Sequence, residues 1–222
     1  MKLILIKLIL VFILCSKSIF ASVLVSEYTV STSGIKIGKF SWSLLINENS
    51  YETKILLENS GFFSPLYKFK GEYKSTGIIV DSELQVKYYK QFWQTKKKIK
   101  IVEMVFDKKL KELIQDPVEE EYSRIDLDSL YMYFDPITSF INILNGNKKA
   151  KTIDGRRTYI MEAKSQKNSN KIVIEIENYK NIWADHKRND LKKIEFLIGD
   201  KKLLPEKISV YFKDRVFSLK KN

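Results

Sequence analysis

From Tyr67 to Lys74 the chain alternates without interruption, with Tyr67, Phe69, Gly71 and Tyr73 on one side and Lys68, Lys70, Glu72 and Lys74 on the other. Successive side chains of a strand point to opposite faces. A run of this kind therefore buries one face and wets the other, which is the requirement of a half-buried antiparallel strand. The same period of two recurs along most of the chain. Lys39 to Ile46 places Phe40, Trp42 and Leu44 together, and Lys98-Ile99-Lys100-Ile101 alternates strictly. Tyr28 to Ser31, Tyr51 to Glu58, Leu84 to Gln94, Leu110 to Ile114, Lys151 to Ile153, Thr158 to Lys164, Ile172 to Trp183, Lys193 to Ile198 and Lys207 to Phe212 read the same way. Turn residues separate the runs: Ser33-Gly34 and Gly38 after the first, Asn47 to Ser50 after the second, and Asp154-Gly155 as a tight hairpin.

One segment breaks the period. In Asp135-Pro136 the aspartate can accept from free backbone N–H groups, and proline at the first helical position gives up a donor that has no partner there. Ile137, Phe140, Ile141 and Leu144 follow at helical spacing, and Asn145-Gly146 closes the element. The acidic stretch from Asp116 to Asp128, with Pro117, reads as a loop crossing the molecule. Apolar residues make up 44% of the 222, while Gly and Pro number 8 and 4, so the chain can bury a core and lacks a linker composition. The expectation is a single mainly-β domain: one curved antiparallel sheet or half-barrel of about ten strands with one embedded α-helix.

The N-terminus reads as a secretory leader over residues 1–21, with the domain over 22–222. Met1-Lys2 is followed by an apolar run from Leu3 to Leu14 broken by Lys7, and the exit ends on Ala21, placing cleavage before Ser22. An uncleaved anchor needs roughly 20 apolar residues, more than this run supplies. An acylated Cys15 is a second alternative, but Phe12-Ile13-Leu14 before it lacks the small residue that lipoprotein processing requires. The expected compartment is the periplasm. Losing Lys2, Lys7 and Lys17 with the leader takes the formal charge from +12 to +9. A basic protein of this kind attracts anionic headgroups or polyanions, so peripheral membrane contact is compatible with the sequence; secretion argues against a nucleic-acid partner.

Cys15 and His186 stand alone in their residue types, which excludes disulfide scaffolds, Cys/His zinc sites and cysteine–histidine hydrolysis. His186 lies in a polar hairpin tip. Asp126 and Asp128 with Glu119, Glu120 and Glu121 lack the alternating ligands and glycine of a calcium loop. No phosphate-cradling glycine loop opens a helix. Neither a metal nor a cofactor is expected, and the chain reads as a non-enzyme, with carboxylate-dependent hydrolysis as the rival chemistry.

The positive feature is aromatic. Trp42, Phe62, Phe63, Leu66, Tyr67, Phe69 and Tyr73 concentrate in the first third of the mature chain, and Phe140 lies on the helix. Large side chains on a curved sheet either fill a core or line an apolar groove between sheet and helix, with residues 61–66 as its rim.

Five motifs in order resemble the DUF3108 family of secreted bacterial envelope proteins. They are Tyr28-Thr29-Val30 with Gly34 to Gly38, the block from Gly61 to Gly71, Asp135-Pro136-Ile137-Thr138-Ser139, Asp154-Gly155-Arg156-Arg157, and Leu204-Pro205. The Pro-Ala-Gly turn common in that family's second half is missing from Ala163 to Ile174. The resemblance implies secretion and a plan similar to periplasmic lipoprotein-carrier half-barrels, which shelter acyl chains against a helix. It implies no catalytic residues. Gly34, Gly38, Asp135, Pro136, Asp154, Gly155 and Pro205 then carry structural roles. The expected function is non-catalytic binding of an envelope lipid or a hydrophobic lipoprotein segment. A structural or assembly factor holding a partner protein through its surface is the alternative.

Overall fold

The computed structural model describes residues 22–61, 68–118, 120, 122–165, 170–183, 190–199 and 204–222. Among these residues lie fourteen strands and one α-helix. The first seven strands form a meander: β1 (Ser22–Thr32), β2 (Ile35–Ile46), β3 (Ser50–Asn59), β4 (Phe69–Val80), β5 (Glu83–Thr95), β6 (Ile99–Asp107) and β7 (Lys109–Asp116). A crossing segment with one 3-10 turn (Leu127–Ser129) leads to β8 (Tyr133–Phe134) and the helix α1 (Pro136–Leu144). The second meander follows as β9 (Lys149–Ile153), β10 (Arg157–Ser165), β11 (Lys171–Asn181), β12 (Leu191–Leu197), β13 (Lys207–Phe212) and β14 (Arg215–Lys221).

All fourteen belong to one sheet, in which β1 pairs with β14 at the centre and β7 and β8 lie at the two edges. Every pairing is antiparallel except the short parallel pair of β8 and β9. The expected half-barrel of about ten strands is thus corrected to fourteen in a nearly closed barrel. The two edges meet at one end of the molecule, where Lys109 bridges Tyr131, and Met132 N–H donates to the Lys108 carbonyl at 2.8 Å. Toward the other end, the amide of buried Gln115 on β7 donates to the Gly155 carbonyl at 2.8 Å.

The helix lies inside this curve, because its side chains reach strands of both meanders. Tyr51 on β3 hydrogen-bonds Thr138 at 2.7 Å, Thr152 on β9 donates to Ser139 at 2.8 Å, and the Phe140 ring meets Phe196 of β12 edge-on at 5.5 Å. Asn142 brackets Leu84 of β5, donating to its carbonyl and accepting from its N–H, both at 2.9 Å. Ile137, Ile141 and Ile143 are buried with Leu44, Leu84, Met104, Met161, Ile174 and Ile208. A short helix is marginal alone, and this one is held by its packing.

Candidate functional site

Two inner regions differ in how they are filled. The first is the helix cap. Asp135 is fully buried at the N-terminus of α1, and its Oδ1 accepts from Ile137 N–H at 2.9 Å and Thr138 N–H at 3.2 Å. Its Oδ2 accepts from the hydroxyls of Ser75 and Thr138, and the Tyr51 hydroxyl closes the ring of contacts. Burial pushes the Asp135 carboxyl above its ordinary value despite these donors. Each oxygen is satisfied from within the chain, which is the arrangement of a structural cap.

The second region lies at the end of the barrel away from α1. The register points Phe40 on β2, Ile55 and Leu57 on β3, Tyr73 and Phe69 on β4, and Trp93 on β5 to the same inner face as buried Trp42, Thr53, Ser75 and Tyr89. Near the helix the inner face is sealed: Leu44, Tyr51, Thr53, Ser75, Leu84 and Tyr89 are all buried. Beyond it, Phe40, Ile55, Leu57, Tyr73, Phe69 and Trp93 are only half-buried. On the second meander Ile176, Tyr179, Val210 and Phe217 are likewise half-buried and packed against the core. The inner face at this end is thus lined by half-buried and mostly apolar side chains, with Gln91 of β5 facing inward opposite Tyr73.

A polar cluster stands beside that face. Asp154 Oδ1 accepts from the N–H groups of Arg156 and Arg157 at 2.9 and 2.8 Å, which makes the hairpin turn. Its carboxyl is raised by desolvation, which outweighs the Arg157 guanidinium 3.6 Å away. The Arg157 guanidinium lies over the Tyr179 ring at 5.8 Å, and that ring stacks on Tyr159 at 5.7 Å. Gly155 has φ +83°, and a Cβ there would stand 2.3 Å from Val102 Cγ1 on β6, so this tip of the hairpin fits against the opposite edge of the sheet as glycine alone.

The rim of this end is cationic. A cleft of about 560 Å³ is bordered by Lys97, Lys98, Lys100 and Arg156 together with Ile99, Asp116, Pro117 and Val118. A neighbouring cleft of about 850 Å³ is bordered by Lys68, Lys70 and Lys96, with Glu58 as its acid. Among the described residues no three His, Cys, Asp or Glu side chains converge as a metal site, and no helix is long and apolar enough to cross a membrane. Asp126 instead caps the 3-10 turn, and Asp128 pairs with Lys109 at 3.3 Å.

The aromatic set singled out in the sequence is divided by the fold. Trp42 is core, 2% exposed, with its indole N–H donating to Thr53 at 2.9 Å. Phe140 packs on Phe196 beside the helix. Phe69 and Tyr73 lie on the half-buried part of the inner face, and the Phe69 ring meets Trp93 at 4.3 Å. Phe62, Phe63, Leu66 and Tyr67 lie outside the described residues, as do Cys15, Ala21 and His186; Ser22 is the first residue of β1. Gly34 makes the β1–β2 turn at φ +78°, and a Cβ on Gly38 would stand 2.6 Å from the Glu58 carbonyl. Pro136 opens the helix, and the Pro205 carbonyl accepts from the buried Tyr28 hydroxyl at 2.7 Å. Ile55, Leu57 and Trp93, absent from the sequence-derived set, belong on the same face. Their signal was the cross-strand register, which pairs Ile55 with Tyr73 and Leu57 with Gly71.

These features define a β-rich, barrel-like protein with an internal helix and one end whose inner side chains are half-buried. A crystal structure of a beta-barrel-like protein of domain of unknown function DUF1849 from Brucella abortus matches it with a TM-score of 0.50, covering 92% of this chain and 98% of that chain at 9% sequence identity. At that identity the match speaks for the fold alone. No protein-family model matches the chain, and no curated protein does. The DUF3108 resemblance therefore rests on its five motifs, and the likeness that stands is to a barrel-like protein of unknown function.

Proposed function

We propose that this protein is a non-catalytic binder of an apolar or amphipathic envelope molecule, a lipid or a hydrophobic lipoprotein segment, held at the end of the barrel beyond the helix. The observation that carries the reading is the gradient along the inner face, from sealed Tyr51 and Thr53 to half-buried Ile55 and Leu57 on a single strand. Between helix and sheet the space is filled by protein side chains, so the ligand is placed past the helix and not alongside it. Apolar burial contributes about 0.8 kcal/mol per methylene. Half a dozen buried methylenes then outweigh a modest association cost without any reacting group. The leader, the DUF3108-like motifs and the periplasmic compartment belong to the same reading.

The test is a fluorescence titration with cis-parinaric acid, alongside native mass spectrometry of protein recovered from its own envelope. Wild-type protein should bind the fatty acid, and Leu57→Asp, which sets a carboxylate on the apolar lining, should weaken binding by roughly tenfold or more. Leu57→Ala guards against misfolding of the aspartate variant and should show a smaller loss in the same direction. A protein that carries no ligand and ignores the fatty acid defeats the reading and favours a surface-acting assembly factor. Hydrolysis of an envelope substrate that stops on removing a specific carboxylate favours the enzyme.

A further inference from the structure

We infer that the rim formed by the β5–β6 turn, the start of the crossing segment and the β9–β10 turn is a docking surface for an anionic lipid bilayer. Lys96, Lys97 and Lys98 occupy a single exposed turn, and Lys100 and Arg156 border the same cleft as Lys97 and Lys98. Apolar side chains stand among these cations. Ile99 is 49% exposed and Val118 is 80% exposed, and both border that cleft. Cations alone would fit any polyanion. Exposed aliphatic side chains set between lysines fit a bilayer interface, where the charges meet headgroups and the apolar groups enter the acyl boundary.

The charge is also unevenly placed. At the other end of the barrel Glu48, Asp81 and Glu83 offset lysines such as Lys108, Lys148, Lys149 and Lys207, whereas the rim cleft sets Lys97, Lys98, Lys100 and Arg156 against Asp116, with exposed Glu120 next along the crossing segment. Each lysine near an anionic surface adds attraction that acts within a screening length of about 8 Å at physiological salt. A cluster at one end therefore orients the molecule as well as attracting it. The bilayer would face the half-buried end of the inner face. The docking inference stands without that coincidence, since it uses the rim and not the interior.

Co-sedimentation of the full chain with vesicles tests it. Protein should sediment with phosphatidylglycerol–phosphatidylethanolamine vesicles, stay in solution with phosphatidylcholine vesicles, and be released by raised salt. Lys97→Glu with Lys98→Glu should lower vesicle affinity by roughly tenfold or more, and Val118→Asp should lower it independently. Lys148→Glu with Lys207→Glu, both exposed at the opposite end, should leave it unchanged. Circular dichroism and melting temperature confirm that each variant is folded. The inference is overturned by equal binding to neutral vesicles, by a charge-reversed rim that binds like wild type, or by tighter binding to a single-stranded oligonucleotide than to vesicles. Cis-parinaric acid binding by the rim variant separates this outcome from failure of the ligand reading: the rim variant should keep the fatty acid and lose the vesicle, and Leu57→Asp should do the reverse.

Discussion

The Ser75 hydroxyl donates to Asp135 Oδ2 at 2.8 Å, joining the middle of β4 to the cap of α1 across 60 positions of sequence. Through this contact one carboxylate serves both the local helix start and the long-range placement of the helix inside the sheet. Thr138 and Tyr51 share the same pocket, so the cap is a four-residue network and not an isolated side chain.

Replacing Asp135 by alanine should therefore cost more than an ordinary cap, about 2 kcal/mol or more, because hydroxyls in the core lose their acceptor as well. Asp135→Asn keeps an oxygen for the two backbone donors and should cost less. Urea unfolding of the pair decides it. Equal and small losses would mean the network contributes little.

The same residue sets a pH signature. Its carboxyl titrates above the ordinary carboxylate value in the folded chain, so the folded state takes up the proton first as pH falls. Its contribution to stability is greatest below the unfolded value and is lost as pH rises through the folded one. The stability difference between wild type and Asp135→Asn should accordingly shift in favour of wild type on acidification. Half-buried Glu103, lowered by hydrogen bonds from Lys90 and Tyr88, and Glu195, lowered by hydrogen bonds from Lys193 and Lys171 against its desolvation, act with the opposite sign and cancel in that difference.

At the sheet edge, Gly155→Ala should destabilise by roughly 2–4 kcal/mol, combining a left-handed backbone with overlap onto Val102. Adding Val102→Ala should restore part of that loss by making room, leaving the backbone component. Hydrogen exchange should quicken along β6 and β7 in the single variant. A fully additive double variant would show that the two side chains do not meet.

Trp42→Phe removes the indole bond to Thr53 from a sealed site and should lower stability by about 1–3 kcal/mol. Fatty-acid affinity should not change, since Trp42 belongs to the core. A weakened ligand with an unaltered melting temperature would return Trp42 to the binding face.

How legible this was depended on where each residue's partners lie. Alternation marked the strands from Lys39 to Ile114 because most of their inner positions are apolar and many of their outer ones polar or charged. The early half of β1 escaped because Val23 and Val25 point outward, while inward Ser26 is polar. β14 was passed over beyond the Lys213-Asp214 turn, although Phe217 and Leu219 carry the period. β8 has two residues and exists through its pairing with β9, which no local pattern encodes. The Asp135-Pro136 cap was readable because its chemistry is local. Its partners Ser75 and Tyr51 were not, since a serine or tyrosine in a strand looks the same whether it faces water or a buried carboxylate. The half-buried face needed the register, for Ile55 and Leu57 alone read as ordinary core.

The pairing of β1 with β14 has a consequence for biosynthesis. Tyr28 lies opposite Lys221, and the Asn222 N–H reaches the Glu27 carbonyl at 3.0 Å. The ribosome makes β1 long before β14, so the first strand waits with one edge bare until β14 emerges. Bare edges recruit strands from other chains, and pairings this distant in sequence form slowly. Nascent chains should therefore need shelter along β1, and loss of β14 would part the seven strands from β7 to β1 from the remaining six, β13 to β8.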